Sequence, residues 1–161
     1  MEYLSLDPRQ QTKKENYKLL IGTVLPRPVA LVVTKNKEGI LNAAPFSFFN
    51  VVCSDPPLLG INVARKPGGI RKDTSLNILE HEEFVVHIVD ENIVEQATIA
   101  ATEFPSNVSE VEELGFTLED SVEISVPRLK EAKIQMECKL NQMIEIKNKD
   151  GVHSSDFVIG E

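Results

Sequence analysis

The chain has 161 residues, of which 42% are apolar and 26% are charged, and it carries a formal net charge of −8. One domain of this size buries enough surface to fold without structural disulfides or a structural metal. The acidic balance and the absence of tryptophan argue against broad binding to nucleic acid or to an anionic membrane. A local basic pocket remains compatible with this composition.

Cysteine usage and the amino-terminal residues indicate a reducing compartment. Cys53 and Cys138 lie far apart and in no metal-binding spacing. Residues 1–11 are polar, so they do not resemble a signal peptide, and no apolar run approaches the ~20 residues of a membrane span. We therefore expect a cytoplasmic protein with neither a membrane nor a nucleic acid as its partner.

The first elements in chain order are a helix and a β-hairpin. Residues 13–21 favour a short helix that Gly22 ends. The β-branched run 29–34 and the stretch 40–52 favour two strands. The glycine-containing connection 35–39 between them predicts a hairpin.

The next third of the chain alternates strands with a loop and a helix. An apolar run predicts a strand over residues 58–63, and the Lys-Pro-Gly-Gly sequence at 66–69 predicts a loop. Residues 73–75 are Asp, Thr and Ser, and we expect them to cap a helix over 76–82. Another strand is predicted over residues 84–89.

The last third contains the clearest strand. Residues 91–101 carry a helical apolar stripe, and residues 109–114 favour a short acidic helix. Apolar and polar residues alternate with period two across 132–146, as expected for a strand with one buried face. A final strand is predicted over 157–159.

These elements predict a mainly β protein, a β-barrel with short inserted helices. A doubly wound parallel sheet needs long helices between successive strands, and the first part of the chain has none. We expect one domain over residues 1–161. Because the chain stops directly after an apolar strand, we also expect a C-terminal strand or extension beyond Glu161 in the natural protein.

Most catalytic signatures are absent from the sequence. It contains no Gly-x-Gly-x-x-Gly, no P-loop and no Gly-x-Ser-x-Gly. His81, His87 and His153 are isolated from one another and from the cysteines, so no metal site is predicted. No residue is assigned as a catalytic acid, base or nucleophile.

Residues 42–49, Asn-Ala-Ala-Pro-Phe-Ser-Phe-Phe, form the first candidate binding segment. Pro45 cannot donate a hydrogen bond to a neighbouring strand, so the segment is expected at a sheet edge or a bulge. Its small residues let a flat ligand approach the backbone, with N–H groups near Ala44 facing acceptors on that ligand. The alternative is a kinked core strand whose aromatic side chains point inwards.

Residues 65–77 form the second candidate segment. Arg65, Lys66, Arg71 and Lys72 concentrate positive charge just before a predicted helix. A helix N-terminus offers free backbone N–H groups and a favourable dipole, so the pattern predicts a phosphate site. The alternative is a solvated basic loop followed by a capped helix.

The sequence resembles the flavin reductase-like proteins with the FMN-binding split barrel. The resemblance covers about residues 17–146 and the C-terminal end, and six short pieces carry it in the same order. The pieces are LPRPV (25–29), GILNAAPFSFF (39–49), DPP (55–57), RKDTSLNI (71–78), FVVHI (84–88) and FVIGE (157–161). The chain departs from many relatives at His87, where they have asparagine, which we interpret as a tolerated change in the core or at its rim.

The resemblance implies an FMN-binding split β-barrel that works as a homodimer with the flavin near the subunit interface. The ring is expected against the backbone of residues 42–49, and the phosphate against residues 72–74 and a nearby arginine. From the small-residue strand itself we expect Ser47 to hydrogen-bond the ring. The implied cofactor-binding residues are Arg27, Asn42, Ala43, Ala44, Pro45, Ser47, Phe48, Phe49, Arg65, Arg71, Lys72, Asp73 and Thr74.

The resemblance also implies an oxidoreductase that passes electrons from NAD(P)H through bound FMN to an acceptor that the sequence does not identify. Two alternatives stay open. The protein is either an FMN-binding electron carrier without its own NAD(P)H turnover, or a partner-binding module that has lost the flavin. The sequence assigns no role to His87, His153 or Cys53.

Overall fold

The computed structural model describes residues 3–161. In this part of the chain the helices are α1 (Lys13–Thr23), α2 (Asp73–His81), α3 (Val94–Ile99) and α4 (Glu110–Glu113). The strands of the same residues are β1 (Ala30–Lys35), β2 (Leu41–Phe46), β3 (Phe49–Ser54), β4 (Pro57–Ala64), β5 (Glu83–Ile88), β6 (Leu118–Glu119), β7 (Arg128–Leu129), β8 (Gln135–Lys147) and β9 (His153–Gly160).

An antiparallel sheet with the order β2-β1-β5-β8-β9-β4-β3 dominates the fold. β6 and β7 form a separate two-stranded ribbon. The predicted mainly β class with short inserted helices is confirmed. Among residues 3–161 no helix is long and apolar enough to cross a membrane. The cytoplasmic location and a continuation beyond Glu161 stay predictions.

The predicted hairpin is formed by β1 and β2, with Val33 opposite Ala43. In the turn, the Asn36 carboxamide oxygen accepts a hydrogen bond from the Ile40 N–H at 2.8 Å. Gly39 follows with a φ of 83°, which glycine adopts without the steric cost of a Cβ. The turn therefore fixes the register that brings β2 to the edge of the sheet.

The long strand β8 curls the sheet. Its first part, residues 135–139, pairs with β5, and its second part, residues 140–147, pairs with β9. The register shifts between Leu140 and Gln142, and such irregularities bend a strand and increase its twist. The two halves of the sheet consequently fold towards each other.

The two edges of the curled sheet approach each other where β2 runs into β3. Only Ser47 and Phe48 separate these strands in the sequence. The Asn62 N–H of β4 donates a hydrogen bond to the Phe48 carbonyl at 2.9 Å. Edge strand β2 is therefore held beside the opposite half of the sheet.

Apolar clusters cover both faces of β1. Leu31 and Val33 pack in one cluster with Val111 of α4, whereas Val32 packs in the other with Phe84. Both faces of β1 are thus buried, which explains why its sequence is a continuous apolar run and not an alternation.

Several element boundaries differ from the expectation, and the final strand, expected over 157–159, extends over His153–Gly160. α1 continues through Gly22 to Thr23, because an isolated glycine costs a helix only about 1 kcal/mol and a capping box of Thr12 and Glu15 stabilises its start. The stretch 40–52 forms two strands, since the chain bends between β2 and β3. The helix expected over 91–101 covers Val94–Ile99 only.

Candidate functional site

The two segments that the sequence indicates as binding segments meet in the fold. The Asn42 amide of β2 donates a hydrogen bond to the Thr74 hydroxyl of α2, with an Nδ2–Oγ1 distance of 3.2 Å. Thr74 is 1% exposed and Asn42 is half-buried, so this bond lies at the border of the interior. Residues that are 32 positions apart in the sequence therefore form one site.

A small cavity, called here the polar cavity, lies beside this bond and has a volume of about 110 Å³. It is lined by Asn42, Ala44, Pro45, Phe46, Lys66, Lys72, Asp73, Thr74, residues 100–104 and Glu110. A larger one, called here the wide cavity, has a volume of about 530 Å³ and shares Pro45, Phe46 and Lys72 with it. The two cavities therefore adjoin.

The start of α2 forms one wall of the polar cavity. The helix begins at Asp73 with Lys72 as its N-cap, so the expected cap at residues 73–75 is corrected to the first helical turn. In the described structure no side chain bonds to the free N–H groups of this turn as a cap. With Lys66 and Lys72 on the same cavity, these N–H groups suit a phosphate.

The free edge of β2 forms another wall, and its backbone polarity differs from the expectation. The Ala43 N–H points away from β1 and donates to Glu110 Oε2 at 3.2 Å. Because successive N–H groups of a strand point to opposite edges, the Ala44 N–H faces β1 and not the cavity. Pro45, next on the free edge, has no N–H. The N–H donors expected near Ala44 are therefore not available to a ligand.

Side chains of the 42–49 segment divide between the core and the wide cavity. Ala43 and Phe49 are buried in the apolar clusters. At the free edge of β2, Ala43 therefore presents only its backbone groups. Ser47 and Phe48 line the wide cavity, and the Phe48 ring lies 6.3 Å from the Tyr17 ring of α1, centroid to centroid. Neither alternative from the sequence holds for the whole segment.

Sequence comparison decides the family. A family model described as flavin reductase like domain matches residues 21–161. The chain belongs to the flavin reductase-like family. It is thus a flavin-dependent oxidoreductase, as the resemblance implied.

Solved structures agree with this assignment. Nitrilotriacetate monooxygenase component B from Bacillus cereus is 47% identical, with a TM-score of 0.96 over 100% of this chain and 79% of that one. The 2-nitrobenzoate 2-nitroreductase of Pseudomonas fluorescens is 41% identical, with a TM-score of 0.86 over 98% and 73%. A split-barrel-domain protein of Shewanella frigidimarina, 23% identical, has a TM-score of 0.79 over 95% and 73%. The predicted split-barrel fold is confirmed.

Two arginines expected at the phosphate of this flavin reductase-like chain lie elsewhere. Arg65, with a side chain 6% exposed, bonds through Nε to Asp156 Oδ1 at 3.1 Å. Arg71 pairs with Glu145 and lies 3.4 Å from Asp156. Neither arginine lines the polar cavity. Both are neutralised by acids from β8 and β9, so their placement gives no support to the predicted role.

Arg27 lies near residues of the wide cavity, and its binding of the cofactor stays a prediction. Its Nη1 donates to the carbonyl of Ile21 at 2.8 Å and to that of Val24, which are at the carboxyl end of α1. The residue lines an apolar cavity with Phe48 and not the polar cavity. Its guanidinium therefore anchors α1 beside the wide cavity.

The structure places the three residues to which the sequence assigned no role. His87 is fully buried, its Nε2 accepting the Leu129 N–H at 3.0 Å and its Nδ1 lying 3.1 Å from the Leu31 carbonyl. His153 lies beside Glu145, with Nδ1 2.6 Å from Oε2. Cys53 borders a separate cavity. None of the three lines the polar or the wide cavity.

Sequence reasoning missed two parts of the site. Lys66 was noted as basic but not assigned to the cofactor, although it lines the polar cavity. The sequence predicts Glu110 within a short acidic helix and assigns neither Glu110 nor residues 100–104 to the site. Glu110 looks in the sequence like one acid among several in a short acidic helix, and no local pattern indicates that it is buried.

Proposed function

We propose that the chain binds FMN and passes electrons from NAD(P)H through the bound flavin to a second acceptor. The observation that carries this proposal is the Asn42–Thr74 hydrogen bond, which joins a small-residue edge strand to an uncapped helix start. A phosphate-type pocket and a wide cavity adjoin at this point. The family supports a flavin, and the shape of the site supports the choice of FMN.

The polar cavity suits the phosphate end of such a ligand. Lys66 and Lys72 supply positive charge, and Thr74 and the N–H groups of the first turn of α2 supply donors. Its volume of about 110 Å³ is small and fits a terminal phosphate better than a diphosphate that continues to an adenosine. This favours FMN over FAD.

The wide cavity suits the ring end. Tyr17, Phe48 and Pro45 provide apolar surface, and Ser47 provides a hydroxyl for a ring heteroatom. A bound flavin would supply the redox chemistry, accepting hydride from a reduced nicotinamide and releasing electrons afterwards. The chain holds and orients the ring, and the open side of the wide cavity leaves space for the nicotinamide.

We also propose that the protein is a homodimer that uses the surface around α1. Among the described residues of this helix none is buried. Apolar side chains of the helix and of the neighbouring strands are exposed, among them Leu20, Val24, Phe48 and Val51. An apolar surface of this kind beside a binding site favours contact with a second copy. Sedimentation at micromolar protein concentration tests this, and a monomer with bound flavin would contradict it.

The first experiment is an absorbance spectrum of the purified protein before and after incubation with FMN and desalting. Retained flavin bands with FMN, and weaker retention of FAD, are the expected result. Oxidation of NADH and of NADPH with free FMN as acceptor then separates a reductase from an electron carrier. A protein that keeps no flavin contradicts the proposal, and one that keeps FMN without nicotinamide turnover is a carrier.

A further inference from the structure

Glu110 is a buried carboxyl in the wall of a cavity that suits an anion. The residue is 8% exposed, and its Oε2 accepts the Ala43 N–H of β2 at 3.2 Å. It lines the polar cavity together with Asn42 and Thr74. Burial raises the pKa of the Glu110 carboxyl, and the negative charge of Asp73 raises it further.

Charged groups from several segments line the polar cavity together with this carboxyl. Lys66 follows β4, Lys72 and Asp73 begin α2, and Glu103 follows α3, whereas β2 contributes neutral groups only. A phosphate that entered would meet two lysines and also the carboxylates. The repulsion between the phosphate and the carboxylate of Glu110 is only partly screened, because Glu110 is buried.

We infer that Glu110 takes up a proton when the phosphate of the cofactor binds, which makes it a proton-linked positioning residue of the site. This inference rests on the proposed function. A protonated Glu110 keeps its bond to the Ala43 N–H through the unprotonated oxygen, so the edge of β2 stays in place. Its O–H becomes a donor where the ionised form would repel the ligand.

The direction of the pH dependence follows from this proton uptake. The bound phosphate disfavours the ionised carboxyl, so the pKa of Glu110 is higher in the complex than in the free protein. The complex then binds more protons than its separated components, and the affinity for FMN increases as the pH falls. Riboflavin has no phosphate, and its affinity should not follow this dependence.

The test compares the wild-type protein with Glu110→Gln in FMN titrations between pH 8 and pH 6. The glutamine oxygen can still accept the Ala43 N–H, and the amide removes the titration. Between these pH values we expect the FMN affinity of the wild type to increase roughly threefold to tenfold relative to that of the variant, as for an average uptake of about a quarter to a half of a proton over two pH units. The FMN phosphate also titrates in this range, but its contribution is the same for both proteins and cancels in the ratio of their FMN affinities.

Glu113→Gln, an exposed position on the same helix, should behave as the wild type. Calorimetry of FMN binding in two buffers with different ionisation heats provides a second measurement. It should show more proton uptake by the wild type than by Glu110→Gln, and Glu110→Ala replaces the glutamine variant in this comparison if that variant does not fold. Equal pH profiles, or equal proton uptake by the wild type and the variant, overturn the inference while FMN binding stands. Failure of the wild type to bind FMN at any pH refutes the proposed function instead.

Discussion

The amide of Asn42 donates to the hydroxyl of Thr74 across 3.2 Å, and this bond ties the edge of the sheet to the first turn of a helix. The helix start is uncapped by side chains in the described chain. Asp73 and Thr74 of its first turn line the polar cavity, where Lys66 and Lys72 also lie. The bond therefore sets the distance between the parts of the site that would hold a phosphate and a ring.

Thr74→Val tests this bond because it removes the hydroxyl at nearly constant shape. The amide of Asn42 loses its acceptor, and a donor of the phosphate site is lost with it. We expect FMN affinity to fall about tenfold, the equivalent of one typical hydrogen bond. Fluorescence titration measures the loss, and Thr98→Val, at an exposed position of α3, serves as the control. Unchanged affinity in Thr74→Val would contradict the assigned role.

The two cavity lysines should discriminate between FMN and riboflavin. Lys66→Gln and Lys72→Gln each remove a positive charge from the polar cavity. We expect each to weaken FMN binding about tenfold, as expected for loss of a charge-assisted bond, and to leave riboflavin binding unchanged. The control is Lys149→Gln, in an exposed turn. Equal losses for the two flavins would mean that these lysines do not contact the phosphate.

His87 should make the stability of the fold sensitive to acid. Burial lowers the pKa of His87 from 6.5 to about 4, and the hydrogen bond to the Leu31 carbonyl opposes this shift only in part. Because Nε2 accepts the Leu129 N–H, the proton of the neutral ring lies on Nδ1. Protonation of Nε2 would break the bond to Leu129. The neutral form therefore stabilises the fold.

The unfolded chain binds more protons than the fold between pH 6.5 and about 4, so stability falls as the pH decreases through this window. The loss attributable to His87 should be about 3 kcal/mol in the free energy of unfolding. Urea unfolding at several pH values measures it. His87→Gln should be less stable than the wild type at neutral pH, and its free energy of unfolding should depend less on pH between 6.5 and about 4. His81→Gln should keep the pH dependence of the wild type. An identical slope in His87→Gln would refute the assignment.

The elements set by local patterns could be predicted from the sequence. Alternation across β8 and the glycine turn before β2 define a strand and a hairpin without help from the rest of the chain. The edge position of β2 follows from Pro45, which has no N–H for a neighbouring strand. The resemblance to a family then supplied the barrel topology, which these patterns alone leave open.

The roles of individual charged residues could not be predicted from the sequence, because each role depends on contacts with residues far away in the chain. Arg65 and Lys66 are adjacent, yet Arg65 pairs with Asp156, 91 residues away, while Lys66 lines the polar cavity. Local charge density could not separate the two roles. Glu110 is a similar case, since its bond to the Ala43 N–H joins residues 67 positions apart.

The pairing of Arg65 with Asp156 should be structural, and its loss should affect stability more than flavin binding. Asp156 is fully buried, and its carboxylate also lies beside Arg71. Asp156→Asn leaves the buried guanidinium of Arg65 with the exposed Glu145, 3.2 Å from its Nη2, as its remaining countercharge. We expect a loss of about 3–5 kcal/mol in the free energy of unfolding, as found when one partner of a buried ion pair is removed.

Unfolding in guanidinium chloride measures this loss in Asp156→Asn. The control is Asp150→Asn, which lies in an exposed turn. FMN titration under conditions where both proteins are folded then separates two roles for the arginines. If they only hold β9 against the loop at residues 66–70, FMN affinity stays within about twofold of the wild type, since neither arginine lines the polar cavity. If instead an arginine freed from Asp156 reaches the phosphate, affinity rises, and the ion pair has been restraining a cofactor ligand after all.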